Sequence, residues 1–222
     1  MSEEAKFKET IWIKFWYSLI KTVLGPFIRW VWIKKVEGLK NIPEQKPCII
    51  AANHSSYFDF LSLAAISKRR IYFLAAEKFF KGKIWGPLVR LTGQIKVERK
   101  SKDKSQVYNL VLSAIKQGYI IGVFPEGTRS RNGEIHQVYG GIARFVLATR
   151  VPVVPVGISG AFEILPPHKK IPQIKKNIEI KIGQSMEFGK YYDKEQSEKV
   201  LQDISDEIML KIAELSGKKY QR

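Results

Sequence analysis

Pro47-Cys48-Ile49-Ile50-Ala51-Ala52, followed at once by Asn53-His54-Ser55-Ser56-Tyr57-Phe58-Asp59, decides how this chain reads. The first run is continuous, apolar and of strand length, and residues 60–66 resume an apolar pattern of helical character. His54 therefore falls where a buried strand gives way to a helix, the place where α/β proteins put reactive groups. On one continuous helix, five residues at about 100° each would leave His54 and Asp59 roughly 140° apart and out of reach. The spacing predicts His54 before the helix and Asp59 in its first turn, with Ser55 or Ser56 as N-cap. This stretch alone is also compatible with a capped helix beside a surface histidine.

At 222 residues the chain suits one sizeable α/β domain with at most a small appendage. Thirty-eight Lys and Arg against 21 Asp and Glu give a formal net charge of +17, which draws the protein to anionic surfaces of any kind, whether phospholipid, nucleic acid or acidic protein. The single cysteine, Cys48, excludes an intramolecular disulfide and reads as a small core residue. Met1-Ser2-Glu3-Glu4 is acidic and the apolar stretch behind it lacks a small-residue cleavage site, so a signal peptide is not expected.

Residues 7–35 are crowded with Trp12, Phe15, Trp16, Tyr17, Phe27, Trp30 and Trp32, interleaved with Lys14, Lys21, Arg29, Lys34 and Lys35. On a helix Lys14, Ser18, Lys21, Gly25 and Arg29 form a narrow polar stripe on an otherwise apolar cylinder. A membrane span needs ~20 apolar residues, and the cations interrupt every such window. Gly25-Pro26 is expected to break the segment into two short helices. These are read as a pair lying in one leaflet, aromatic rings at headgroup depth and lysines reaching phosphates. A helix pair capping the domain core is the other reading. Residues 1–35 are thus taken as an interface segment and 36–222 as the α/β domain.

Within that domain, residues 71–75, 95–97, 119–124, 151–158 and 178–182 read as further strands, the last as an edge strand. Residues 103–117, 140–148 and 195–215 read as helices, and 159–173, with Pro166, Pro167 and Pro172, as loop. Alternation of strands and helices implies a largely parallel sheet covered on both faces. Its C-terminal strand ends share one crevice, which brings Asn53-His54 beside Phe124-Pro125-Glu126-Gly127-Thr128-Arg129. Gly127 permits a tight turn and close backbone approach, Glu126 accepts from hydroxyls, and Arg129 can fork onto a phosphate. Lys96 and Arg99 follow Gly93 at another strand end. An imidazole–carboxylate pair with converging cations fits a site that activates a hydroxyl next to a phosphate.

Asn53-His54 with Asp59, then Gly93-Gln94-Ile95-Lys96-Val97-Glu98-Arg99, then Phe124-Pro125-Glu126-Gly127-Thr128-Arg129-Ser130, then Val151-Pro152-Val153-Val154-Pro155-Val156, resemble in order and spacing the four motifs of the 1-acylglycerol-3-phosphate acyltransferases. The resemblance covers roughly residues 36–190. It implies an αβα layered domain around a largely parallel mixed sheet, with the N-terminal two-helix segment as membrane anchor. It further implies acyl transfer from a thioester to the sn-2 hydroxyl of 1-acylglycerol-3-phosphate, with His54 as general base and Asp59 as the carboxylate that orients it. Arg99 and Arg129 would bind the acceptor phosphate, while Glu126, Gly127 and Thr128 would shape the acceptor pocket; Lys96 is added to the phosphate set from its position alone. Acyl-CoA or acyl-acyl carrier protein would be co-substrate, and no cofactor or metal is expected, since His54, His136 and His168 lack ligand spacing. Monotopic attachment to the cytoplasmic face of a membrane through residues 7–35 follows from the same reading. Two departures stand out: Glu98 replaces the common aspartate of the second motif, and Val138-Tyr139 replaces a common Phe-Lys.

Other readings make different demands. Glycerol-3-phosphate or other lysophospholipids are alternative acceptors. A serine hydrolase would use Ser55 or Ser56, but there is no Gly-x-Ser-x-Gly elbow. A basic nucleic-acid-binding protein would suit the charge, yet the aromatics concentrate in one amphipathic segment instead of interleaving on a strand platform.

Overall fold

The computed structural model describes residues 6–83, 85–98, 103–138 and 140–220. Strands β1 (Ile33–Glu37), β2 (Cys48–Ala52), β3 (Ile71–Ala76), β4 (Ile95–Val97), β5 (Ile120–Val123), β6 (Val153–Ser159) and β7 (Ile178–Ile182) form one sheet in the order β1-β7-β6-β2-β5-β3-β4. The neighbours from β6 across to β4 run parallel, β7 is antiparallel to β6, and β1 is parallel to β7. The sheet is therefore mixed but largely parallel, and the C-terminal ends of β2, β5, β3, β4 and β6 open on one side. Fully buried Ile49, Ile50, Ile120, Ile121, Val154 and Val156 explain the unbroken apolar runs, since both faces are covered.

One face packs against α5 (Ser105–Lys116), α6 (Gly141–Thr149) and α8 (Glu198–Ser216). The other packs against α2 (Tyr57–Ile66), a one-turn helix α7 (Ala161–Ile164) and the C-terminal part of α1 (Ile11–Val31). Short helices α3 (Glu77–Lys81) and α4 (Trp85–Leu91) connect β3 to β4. The αβα expectation holds, and α7 adds one helical turn where a loop was expected. Strand β1 occupies residues assigned to the interface segment or its exit. It was hidden because Lys34 and Lys35 are exposed and its partner β7 lies far along the chain.

Glycine sets how closely α8 can approach β6. A Cβ at Gly157 would sit 2.3 Å from the Ser216 backbone nitrogen and 2.4 Å from the Leu215 carbonyl carbon. Neither backbone can yield without moving the helix off the sheet. Gly157→Ala is expected to destabilise the fold by about 2–4 kcal/mol, read as a fall in denaturation midpoint at unchanged m-value.

The N-terminal segment differs from expectation. Residues 11–31 form a single helix that carries Pro26 inside it, not two helices broken at Gly25-Pro26. Proline costs one amide hydrogen bond, but Gly25 lays the α1 backbone against Ala65 of α2, and this tertiary contact holds the helix straight through. Its N-terminal end is tied to the sheet as well. The Tyr17 hydroxyl donates to Ile71 O at 3.1 Å and accepts from Ile71 N at 3.0 Å. Glu9, almost fully buried, accepts from Arg70 Nε at 2.6 Å, from the Tyr119 hydroxyl at 2.9 Å and from the Tyr72 hydroxyl. Burial alone would raise the Glu9 carboxyl, but Tyr72, Tyr119 and Arg70 together hold it below its ordinary value.

The polar stripe is also placed differently. Gly25 is buried and Lys21 half-buried against the domain, where its ammonium donates to Lys68 O at 3.0 Å. The outward face carries Ile11, Trp12, Phe15, Leu19, Val23, Phe27 and Trp30, with Trp12 and Trp30 68% and 74% exposed. Among the described residues no helix is long and apolar enough to cross a membrane.

Candidate active site

The site is assembled at the C-terminal ends of β2 and β5. Asn53, the first residue past β2, continues the pairing with β6 through its side chain: Nδ2 donates to Ile158 O and Oδ1 accepts from Ile158 N, both at 2.8 Å. The next residue, His54, is thereby fixed in direction as the chain leaves the sheet. Ser56 then caps α2, its hydroxyl accepting from Phe58 N at 3.2 Å and donating to Leu165 O at 2.9 Å. Asp59, the third residue of the helix, folds back and completes a capping box.

His54 and Asp59 meet as the spacing predicts. Nδ1 of His54 lies 2.9 Å from Asp59 Oδ2, and the same oxygen accepts from Ser55 N at 2.6 Å and Ser56 N at 2.8 Å. An oxygen that already accepts two amide hydrogens calls for a donor at Nδ1, and in the neutral imidazole this leaves the lone pair on Nε2. Asp59 is fully buried at the N-terminus of α2, where the helix dipole favours its negative charge. The His54 side chain is 15% exposed and stacks on Phe124 with ring centroids 4.0 Å apart, which fixes the ring plane. Ser55 and Ser56 are both buried, and the Ser56 hydroxyl proton is committed to Leu165, which removes the ground for a serine nucleophile here.

The β5 end is stitched to the β2 end through the backbone. Ser130 N donates to His54 O at 2.7 Å. Glu126, expected to meet acceptor hydroxyls, turns its carboxylate onto the protein instead: Oε1 accepts from His54 N at 2.7 Å and Oε2 from His136 N at 3.1 Å. Burial pushes its carboxyl up to about 7, against the lowering effect of the His54 and His136 amides. A carboxyl raised in the folded state above an ordinary 4.5 binds more protons folded than unfolded across that interval, so its contribution makes stability fall as pH rises from about 4.5 to about 7. Glu126→Gln is expected to remove that slope. It should also lower turnover, because the amide nitrogen presents a donor to one of two backbone donors; denaturation midpoints at the two pH values check the slope, and initial rates check the turnover.

Gly127 adopts φ +65°, the left-handed conformation, and nothing in the protein lies within 4 Å of where its Cβ would be. Its turn leaves open space above the strand end. Arg129 lies over the ring of Tyr57, its guanidinium carbon 3.7 Å from the centroid, and Nη2 donates to the Tyr57 hydroxyl at 3.1 Å. Its other terminal nitrogen, Nη1, is buried without an acceptor from the described residues. A planar cation held this rigidly presents donors to an anion.

Three cavities share His54. One, of about 460 Å³, is polar and bordered by Thr128, Arg129, Arg131, Lys78 and His168. Another of about 460 Å³ runs along the strand ends past Gly127, Glu126, Val97 and Lys104. The third, about 70 Å³, is an apolar slot between Tyr57, Phe60, Phe73, Phe79, Trp85 and Phe124. Phe60, Phe73 and Val89 also line a further apolar cavity reaching Ile20 and Leu24 of α1, so apolar lining continues from His54 to the N-terminal helix.

Of the residues singled out from sequence, His54, Asp59, Glu126, Gly127, Thr128 and Arg129 come together. Lys96 does not join them: it is exposed on edge strand β4 and pairs with Glu98 at 2.6 Å, while the strand-end cavity reaches Val97 and Lys104 instead. Strand alternation is the reason, since Lys96 and Val97 leave opposite faces. Arg99 and Tyr139 lie outside the described residues. Tyr57, Phe124, Lys78 and His168 were not anticipated. Tyr57 and Phe124 stood inside quoted motifs, and only their partners, far off in sequence, give them roles.

The α/β scaffold thus gathers an oriented histidine and a cationic cavity in one parallel-stranded crevice, and family comparison places that scaffold. The Acyltransferase family model matches residues 34–159, more than half of the chain, and the chain belongs to that family. It is 30% identical over 134 residues to the chloroplastic 1-acyl-sn-glycerol-3-phosphate acyltransferase BAT2 of Brassica napus, covering 59% of this chain and 38% of that one. To the 1-acyl-sn-glycerol-3-phosphate acyltransferase of Bacillus subtilis it is 27% identical over 127 residues, covering 57% and 62%. The chain thus spans less than two thirds of the length of these relatives. The crystal structure of the lysophosphatidic acid acyltransferase PlsC from Thermotoga maritima superposes with a TM-score of 0.72 over 94% of this chain and 83% of that one, at 23% identity, and shares the fold.

Proposed function

We propose that this protein transfers an acyl group from a thioester, acyl-CoA or acyl-acyl carrier protein, to the sn-2 hydroxyl of 1-acylglycerol-3-phosphate, giving phosphatidic acid. The observation that carries this reading is the His54–Asp59 pair opening at once onto a cationic cavity and an apolar slot. A phosphate held by Arg129 and Arg131 places a glycerol hydroxyl near the imidazole, and an acyl chain lies in the slot. The names of the relatives agree with this substrate.

His54 Nε2 takes the hydroxyl proton as the oxygen attacks the thioester carbonyl. The tetrahedral adduct collapses, the carbon–sulfur bond breaks, and the imidazolium returns the proton to the departing thiolate. Asp59 holds the productive tautomer and stabilises the imidazolium as it forms. No enzyme nucleophile is needed. The outward apolar face of α1, with Trp12, Trp30 and Phe27, supports monotopic attachment to a membrane, close to a lipid acceptor, and the cytoplasmic face is the side this proposal assigns.

The test is product analysis by mass spectrometry after supplying lysophosphatidate, glycerol-3-phosphate and lysophosphatidylcholine separately with each donor. Phosphatidate from the first, at much the highest rate, is expected. Preference for either other acceptor would reassign the substrate.

A further inference from the structure

Between α7 and β7 the chain runs Lys169-Lys170-Ile171-Pro172-Gln173-Ile174-Lys175-Lys176. Ile171 and Ile174 are 81% and 87% exposed, more than any other large apolar side chain among the described residues, and the four flanking lysines are exposed too. No acidic residue interrupts the segment. It is not a loose tether: Gln173 N donates to Ile164 O at 2.9 Å, and the Trp32 indole, just past the end of α1, donates to Gln173 O at 2.8 Å. Asn177 N, at the other end, donates to Trp32 O at 3.0 Å. Two isoleucines are thus held out in solvent next to the last turns of α1, where Phe27 and Trp30 are also exposed.

We propose that residues 169–176 are a second membrane contact, which inserts Ile171 and Ile174 into the interfacial layer of an anionic phospholipid surface while Lys169, Lys170, Lys175 and Lys176 engage headgroup phosphates. The proposal rests on the reading of α1 as an interfacial helix and extends it. Charge complementarity selects the occupant, because apolar wedges ringed by cations match a leaflet of apolar chains beneath anionic headgroups. Exposed tryptophan on the adjoining helix matches the same layer. The consequence for the site follows from continuity: Pro167 and His168, immediately before the segment, border the cavity of Arg129 and Arg131. Docking the segment sets that cavity beside the headgroup layer, so an anionic lysolipid can pass from the leaflet to His54.

The test is partition of the full chain onto vesicles of phosphatidylcholine alone and of phosphatidylcholine with phosphatidylglycerol. Four proteins are compared: wild type, I171S/I174S, a variant with all four lysines changed to Gln, and W12S/W30S on α1. The isoleucine pair is expected to weaken partition roughly tenfold on both vesicles. The lysine variant is expected to weaken it tenfold or more on anionic vesicles only, an effect that high salt removes. A polarity-sensitive dye on Ile174→Cys, with native Cys48 buried, is expected to shift to the blue on anionic vesicles. Wild-type partition of both segment variants with an unshifted dye, while W12S/W30S is released, overturns this proposal and leaves the α1 reading standing. A wild-type protein that binds neither vesicle overturns both. Segment variants that bind vesicles normally but lose only turnover with an acyl carrier protein assign the surface to an acidic protein and overturn it as well.

Discussion

His54→Ala is expected to lower turnover by about two to four orders of magnitude and to leave a folded protein. The size follows from the role, because a positioned general base contributes about 10²–10⁴-fold. The fold is expected to survive because Asp59 keeps the Ser55 and Ser56 amides when the ring's stack on Phe124 and its Nδ1 hydrogen bond are lost. Asp59→Asn is the companion change. An amide can still accept from Ser55 N and Ser56 N through its oxygen, so the loop geometry persists, but it no longer stabilises an imidazolium and permits the wrong tautomer. A loss of about 10⁴-fold in kcat is expected, by analogy with the same substitution in serine-protease triads. Asp59→Ala is a poorer probe, since it strands two buried amides. Initial rates beside a thermal melt separate chemistry from folding, and near-wild-type turnover in folded His54→Ala contradicts the assignment.

Arg129→Lys is expected to lower kcat/KM for lysophosphatidate, the proposed acceptor, by roughly a hundredfold, most of it in KM. Charge is retained in this variant, so a merely electrostatic role predicts little change. What is lost is the planar fork: a lysine can neither lie flat over Tyr57 nor offer a second aligned donor to a phosphate oxygen. A buried charge-assisted hydrogen bond is worth about 2–3 kcal/mol, which sets the factor. Tyr57→Phe isolates the support given by the hydroxyl and is expected to cost less than the arginine change. Equal kcat/KM for Arg129→Lys and wild type across acceptor concentrations removes Arg129 from the phosphate site.

The core of the site was legible because its information is local. Residues 47–59 state a strand, a polar exit and a capped helix in order, and the five-residue offset between His54 and Asp59 has few solutions once the helix must start between them. The parallel sheet was legible for a related reason: buried strands such as residues 71–76 and 153–158 are apolar without alternation. What was missed depends on partners remote in sequence. Strand β1 reads as a charged tail until β7 is seen beside it. Glu126 reads as a ligand for hydroxyls until the amides of His54 and His136 are found on its oxygens. Lys96 carries the right charge but leaves the wrong face of a short edge strand.

The N-terminal segment shows the same limit at the level of orientation. Its amphipathic composition was plain, yet which face would meet the domain was set by Gly25 against Ala65 and by the Tyr17 and Glu9 anchors, none of which periodicity reveals. Packing these residues inward turned the aromatic face outward and overrode the helix-breaking tendency of Pro26.

Direct transfer, with no acyl-enzyme, is tested most directly by a single-turnover experiment with acyl-labelled CoA thioester. Label is followed simultaneously in lipid, in free fatty acid and in the intact protein by mass spectrometry, with and without lysophosphatidate. Direct transfer predicts label in phosphatidate only when lysophosphatidate is present, at a rate matching loss of thioester, and an unmodified protein mass throughout. An acyl-protein species that forms and decays at the turnover rate, or free fatty acid as the main product in the presence of acceptor, would contradict it.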